Sequence, residues 1–295
     1  MGFKSRRERT IKAGYGMPFQ NPEGKKFFVF IYDKNSNNLG DLSSCPLNYF
    51  DFSSKKEKPL IVTASSKIMR ENERWKYYNT KNVHFIFGGG GLLTGKVKKM
   101  FSLLSDYRAK PEKKRTILWG IGYNENGHKI DYKTLDGFFK GFDLVGLRDY
   151  NSPYIYVPCS SCMNKVFDKK PNPPEHKVVI YDHYGYPIPR SEKYPIMSNN
   201  ETDLNKVIKF LSSGETVVTS AFHGVYWSML LNRKVVIIPS ASRFYGFKHP
   251  AAFRTNENWE SGIDEAQNYN YNGYLDECRE INKNFYKKVM SVLGL

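Results

Sequence analysis

Cysteine, acidic residues and long apolar runs are all scarce in this chain of 295 residues. Its four cysteines, Cys45, Cys159, Cys162 and Cys278, are too few to scaffold a chain of this length with disulfides. Cys159-Ser-Ser-Cys162 has the spacing of a redox or zinc pair. Neither Cys45 nor Cys278 has a Cys or His nearby to complete a second pair, so buried thiols at a strand end are the expectation. The six histidines never fall into H-x-x-x-H or H-E-x-x-H spacing, which argues against a metal centre. No run of about 18 apolar residues occurs, so no segment is expected to span a bilayer. The N-terminal Met-Gly-Phe-Lys-Ser-Arg-Arg-Glu-Arg lacks the apolar core of a secretory signal. Arg6 stands where N-myristoylation needs Ser or Thr. A cytoplasmic protein is the expectation.

The deficit of acid has consequences of its own. Twenty-nine Asp and Glu face 45 Lys and Arg, a net charge of +16. An excess of that size favours anionic substrates, polyanions or an acidic membrane surface. The basic residues cluster at Lys4 to Lys12, Lys55 to Lys58 and Lys110 to Arg115, which can equally be solvated faces. The N-terminal arm is the segment expected to touch a membrane peripherally. No helix-turn-helix, zinc-finger or RNP-like pattern accompanies the charge, so nucleic acid is not the expected partner.

What is present is 40% apolar residues, enough for substantial cores. β-rich runs at Lys26 to Tyr32, Pro59 to Thr63, Val83 to Phe87, Thr116 to Trp119, Leu144 to Leu147 and Tyr154 to Val157 read as strands. Lys67 to Tyr78 and Lys96 to Tyr107 carry helical spacing between them. That alternation predicts a parallel sheet covered by helices. Asp168 to His176 holds three prolines within four residues, Pro171 to Pro174, and reads as a linker. Beyond it come a strand over Lys177 to Tyr181 and a helix over Asp203 to Ser213, terminated at Gly214. A final helix from Tyr274 to Leu295 is expected to pack back on the first half. The expected architecture is α/β, with an N-terminal unit over 1–170 and a C-terminal unit over 171–295.

Glu215 to Pro239 reads as strand, helix, strand, with His223 in the first helical turn. Unpaired amides and the positive dipole end make a helix start an anion site, where a histidine can also move a proton. A buried unit whose histidine only caps a turn explains the same residues. Asn38, Gly40 and Asp41 follow the first strand and read either as a polar loop orienting a hydroxyl-rich acceptor, with Asp41 as a base, or as an Asx-type turn. Gly88 to Gly91 lie at a strand's carboxyl end, where Gly89 and Gly90 allow close approach of backbone to ligand or helix. The following Gly95-Lys96 nearly spells a P-loop, but Val97 replaces the magnesium-binding Ser or Thr. Arg148 stands at a strand end, either as a bidentate clamp for a carboxylate or phosphate or paired with Asp149 at the surface. Arg243 and Lys248 follow the strand ending at Pro239 and are candidate anion ligands.

Taken in order, these motifs resemble the polysaccharide pyruvyl transferase family. The resemblance runs from Asn38-x-Gly40-Asp41 through Gly88-Gly-Gly-Gly-Leu-Leu93, Trp119-Gly-Ile-Gly122 and Gly146-Leu-Arg148-Asp149 to Thr219-Ser-Ala-Phe-His223 and Asn232 to Pro239. It implies two Rossmann-like domains facing a cleft, as in GT-B-like glycosyltransferases. It also implies ketal pyruvyl transfer from phosphoenolpyruvate to a sugar of a cell-surface or extracellular glycan, without a cofactor or metal. His223 would then be donor-phosphate ligand and general acid, and Arg148 would hold the donor's carboxylate or phosphate. Ser220, Ala221, Phe222 and Gly224 would line the donor side; Asn38, Gly40, Gly89 and Gly90 would face a glycan or lipid-linked saccharide acceptor. The chain departs from the family at Ala221, where a common form of the motif reads Arg-Leu-His. Either Arg243 or Lys248 supplies that charge, or the donor is a nucleotide sugar.

Overall fold

The computed structural model describes residues 27–34, 36–53, 60–65, 83–93, 115–125, 137, 139, 141–189 and 193–295. It is a mixed α/β structure with two sheets. The first contains β1 (Phe27–Tyr32), β2 (Leu60–Ser65), β3 (Val83–Gly88), β4 (Arg115–Ile121), β5 (Leu144–Leu147) and β6 (Ile155–Tyr156), in the order β2-β1-β3-β4-β5-β6. The second contains β7 (His176–Asp182), β8 (Ile196–Ser198), β9 (Gly214–Thr219), β10 (Lys234–Ile237) and β11 (Ala252–Phe253), in the order β11-β10-β9-β7-β8. Every pairing is parallel. All carboxyl ends of a sheet therefore share one rim, where open parallel sheets place their ligand-binding loops.

The strands read from the sequence sit within two residues of their expected bounds, and β8 and β11 are strands that reading does not include. Central ones are buried along nearly their whole length, as in Thr116 to Ile121 of β4, which explains why they read as unbroken apolar runs. The helices expected over 67–78 and 96–107 lie outside the described residues. Asn38 caps a short helix, α1 (Leu39–Leu42), its Oδ1 accepting from Gly40 N at 2.9 Å. Asp203 caps α2 (Leu204–Ser213) by accepting from Asn205 N at 2.9 Å. Its buried stripe is Leu204, Val207, Ile208 and Leu211, the positions the spacing marks. Gly214 ends α2 in extended backbone and begins β9 at once. Glycine is needed there for closeness, since a Cβ would stand 2.5 Å from Val179 Cγ2.

Between β9 and β10 runs α3 (Phe222–Leu230), buried from His223 to Leu230. A shorter α4 (Gly262–Ala266) packs on β10, and α5 (Tyr274–Leu293) follows. Tyr274 and Cys278 belong to the core around the second sheet and α3. Phe285, Val289 and Leu293 of the same helix pack with Phe28, Phe30, Ile117 and Trp119 of the first sheet. Between them, Asn282 accepts from Trp119 Nε1 at 2.9 Å and donates to Pro158 O at 3.1 Å and Cys278 O at 3.0 Å. Burying an amide is costly unless its hydrogen bonds are made, and Asn282 makes these three and a longer one to Cys162 Sγ at 3.5 Å. The expected return of the last helix onto the first sheet is thus observed.

Candidate active site

The carboxyl rims of the two sheets meet. Ser242 N donates to Glu125 O at 2.9 Å, Glu125 N to Ser242 Oγ at 3.0 Å, and Tyr150 N to Gly246 O at 2.9 Å. Between the rims lies a cleft of about 190 Å³. The first sheet contributes Asp33 after β1, Asn38 and Asp41 around α1, Gly91 and Leu92 after β3, Asn124 after β4 and Arg148 after β5. The second contributes Tyr181 and His183 around the end of β7, Asn199 after β8, Ala221, Phe222 and His223 at the start of α3, and Arg243 after β10.

His223 is the second residue of α3, whose capping residue Ala221 makes no side-chain bond to the first amides. A ring at that position needs room, and Gly40 gives it. A Cβ on Gly40 would lie 1.9 Å from His223 Nδ1. The other ring nitrogen, Nε2, is 3.5 Å from Cys159 Sγ. Burial pushes the imidazole's pKa well below its ordinary value, and Arg148 and Arg243 push it further the same way. This setting favours the neutral imidazole.

The two arginines are the other notable charges. Arg148 is 6% exposed, its guanidinium carbon 3.7 Å above the Phe222 ring and its arm against Gly122. Arg243 donates to Asn124 Oδ1 at 2.9 Å, and burial, then Arg148, pull its pKa down to about 10. Among the described residues neither arginine forms an ion pair, and the Nε of each is buried without a partner. A buried and a half-buried guanidinium side by side, neither in an ion pair among the described residues, repel each other and favour an anion between them. Asp41 accepts from Ser36 Oγ at 2.9 Å, and burial raises its pKa. A carboxylate whose pKa is raised is a stronger proton acceptor than an ordinary one.

Arg148 and Asp149 are not a surface pair. Both are buried, and Asp149 is turned to Tyr123 N, from which it accepts at 2.9 Å. Burial lifts its pKa to about 6 against the opposing pull of Arg148. Ser220 Oγ accepts from His183 N at 2.9 Å and donates to Tyr186 O at 2.7 Å, so it holds the turn beside the cleft. Gly224 serves packing: a Cβ there would stand 2.3 Å from Thr219 Oγ1. Gly89 and Gly90 adopt positive φ of 70° and 79°, and their neighbours Gly91 and Leu92 reach the cleft. Gly89 abuts Ser44, and Gly90 sits near Asp41. Lys248 lies outside the cleft lining, its Nζ 2.5 Å from Glu277 Oε1. The four cysteines are buried free thiols, and no cluster of metal-ligating side chains occurs among the described residues.

Asp33, Asn124, Tyr181 and Asn199 carry no motif, and His183 stands in the sequence only as one scattered histidine. Their shared signal is position, since each lies at or just past the end of a parallel strand.

Two parallel sheets that close their rims on a small basic cleft, with a histidine at a helix start, define an α/β enzyme whose site suits an anion. The family model for polysaccharide pyruvyl transferases matches residues 38–242, well over half of the chain, and the chain belongs to that family. It is accordingly a transferase that modifies glycans. No curated protein matches it significantly. The matched region begins at Asn38, takes in Arg148 and His223, and stops one residue before Arg243. No helix among the described residues is long and apolar enough to cross a membrane.

Proposed function

We propose that this transferase moves the pyruvyl group of phosphoenolpyruvate onto two hydroxyls of one sugar in a glycan or lipid-linked saccharide. The supporting observation is the pair of arginines beside His223 in the cleft, Arg148 buried and Arg243 half-buried, neither in an ion pair among the described residues. The donor carries a carboxylate and a phosphate, one anionic group for each guanidinium. Arg243 stands in the same cleft as Ala221 and supplies the cation that Ala221 lacks. A cavity of about 190 Å³ suits a donor this small. Pockets for larger, drug-sized ligands run to roughly 300–1,000 Å³. In this reading the two sheets are cores of two Rossmann-like domains, about 1–170 and 171–295, in a GT-B-like arrangement.

The chemistry needs no cofactor. His223 binds the donor phosphate, whose negative charge offsets the two arginines and favours the imidazolium. Protonation of the donor's methylene carbon forms a methyl group and leaves an oxocarbenium-like C2. A sugar hydroxyl attacks C2, giving its proton to Asp41, and the C2–O bond to phosphate then breaks. A second hydroxyl closes the ketal. One hydroxyl proton replaces that spent on the methyl group and the other leaves with phosphate, so protons balance. The reaction is placed in the cytoplasm, with the basic N-terminal arm against an acidic membrane.

The test is incubation with phosphoenolpyruvate and a panel of free and lipid-linked saccharides, measuring phosphate release and the new ketal methyl by NMR. Both signals are expected for at least one acceptor. Phosphate silence across the panel, with turnover of a nucleotide sugar instead, would replace this reading by glycosyl transfer.

A further inference from the structure

A buried chain of hydrogen bonds ends on His223. Trp227 Nε1 lies 3.1 Å from Ser161 Oγ, Ser161 Oγ 3.2 Å from Cys159 Sγ, and Cys159 Sγ 3.5 Å from His223 Nε2. All four residues are buried. The indole N–H can only donate, so Ser161 Oγ accepts at its first contact. Three arrangements remain. In the first, the Ser161 hydroxyl donates to sulfur and the thiol donates to Nε2, so every group is satisfied. In the second, Nε2–H donates to sulfur and the thiol to Ser161, which strands a buried hydroxyl proton at a cost of about 1–3 kcal/mol. In the third, sulfur accepts from both Ser161 and Nε2–H, and the thiol proton, a weak donor, is left unpaired. The first alone leaves no buried donor without an acceptor. Burial also raises the Cys159 pKa, which keeps the sulfur a thiol with a proton to give.

We propose that Cys159 is a positioning residue that holds neutral His223 as the Nδ1–H tautomer, so that the histidine presents an N–H donor to the cleft without being protonated. Nδ1 is the ring nitrogen that Cys159 does not engage; it lies close against Gly40, whose missing Cβ gives it room, on a ring that lines the cleft. The consequence concerns a conflict within the site. Burial and two neighbouring arginines keep the imidazole neutral, yet an anion calls for a donor. A tautomer set from behind meets both conditions at first contact, before a bound phosphate favours the imidazolium. Trp227 starts the chain one helical turn after His223 on α3, so the helix that places the ring also sets its proton. The inference rests on the anion-binding reading of the cleft, but its first test does not.

That test is 15N NMR on protein labelled at histidine, with the His223 signals assigned by their loss in His223→Gln. The expected result near pH 7.5 is a protonated Nδ1 and an unprotonated Nε2. A protonated Nε2 in the native protein overturns the proposal, whatever the donor proves to be. Cys159→Ala and Ser161→Ala break the chain at separate links, and both are expected to yield mixed tautomers. Cys159→Ser can still accept and donate, and is expected to restore the single form. Unchanged tautomers in both alanine variants, with native near-UV circular dichroism, would also overturn it. Titration with inorganic phosphate then reads the binding consequence. Affinity falls with the fraction of competent tautomer, an expected loss of about two- to fivefold in Cys159→Ala, recovered in Cys159→Ser. Absence of phosphoenolpyruvate turnover with the tautomer intact would count against the proposed reaction alone.

Discussion

The two rims of the cleft are built from the same parallel-strand plan but carry different chemistry. The six-stranded sheet brings Asp33, Asn38, Asp41, Asn124 and Arg148, a mixture of carboxyl, amide and guanidinium groups. The five-stranded sheet brings His223 on a helix start, Arg243, and the rings of Tyr181, His183 and Phe222. Neither rim alone brings both arginines to the cleft. Arg148 lies on Phe222 from the opposite rim, Arg243 bonds Asn124 from the opposite rim, and Gly40 gives His223 its room. The lesson is that the reacting groups are complementary across the cleft.

The sharpest way to break that complementarity is His223→Gln. Loss of a positioned general acid costs about 10²–10⁴-fold. Phosphate release is expected to fall by that factor with circular dichroism unchanged; activity near the native level would remove His223 from the chemistry. Next come Arg148→Met and Arg243→Met, one from each rim. Each removes a charge-assisted contact of about 1.5–3 kcal/mol, or roughly 10- to 150-fold in kcat/KM for the donor. If only one of the two matters, the donor's anionic groups are not divided between the rims.

Phe285→Ala addresses what holds the rims together. The ring packs so closely on β5 that a Cβ on Gly146 would stand 2.7 Å from it, and its loss is expected to lower stability by about 3–5 kcal/mol. Denaturant unfolding reads that directly. The pH response comes next. Because burial and the two arginines hold the His223 pKa well below 6.5 in the free enzyme, kcat/KM for the donor should rise as pH falls below that value. The bound anion offsets the two arginines, so kcat should titrate at a higher pH than kcat/KM. Arg243→Met removes one repelling cation and should move the free-enzyme pKa upward; an unmoved profile would mean another group titrates. The smallest effect is expected from Lys248→Met, less than about threefold on donor KM, since its charge already meets Glu277 outside the cleft.

Much of the architecture is legible because fully buried parallel strand segments leave unbroken β-branched and aromatic runs, as at Phe28–Ile31 and Thr216–Thr219. The same runs flag His223 and Arg148, which directly follow them. Asp33, Asn124 and Asn199 are illegible by the same logic: one polar residue beyond a strand has no spacing to distinguish it from a turn. Lys248 misleads because its partner arrives 29 residues later on α5, a contact no local pattern encodes. Arg148-Asp149 looks like a surface ion pair because adjacent opposite charges usually are one. Only the approach of the second sheet buries both.

Asn282 lies outside the cleft lining, yet the indole of Trp119, the carbonyl of Pro158 and its own helix all converge on its single amide. It works as a keystone. A random mutagenesis screen scored by turnover would therefore recover losses there that resemble active-site lesions, although no reacting atom is near. Screens that interpret such losses as contact with substrate would draw the site too large, and the remedy is to score folding beside turnover.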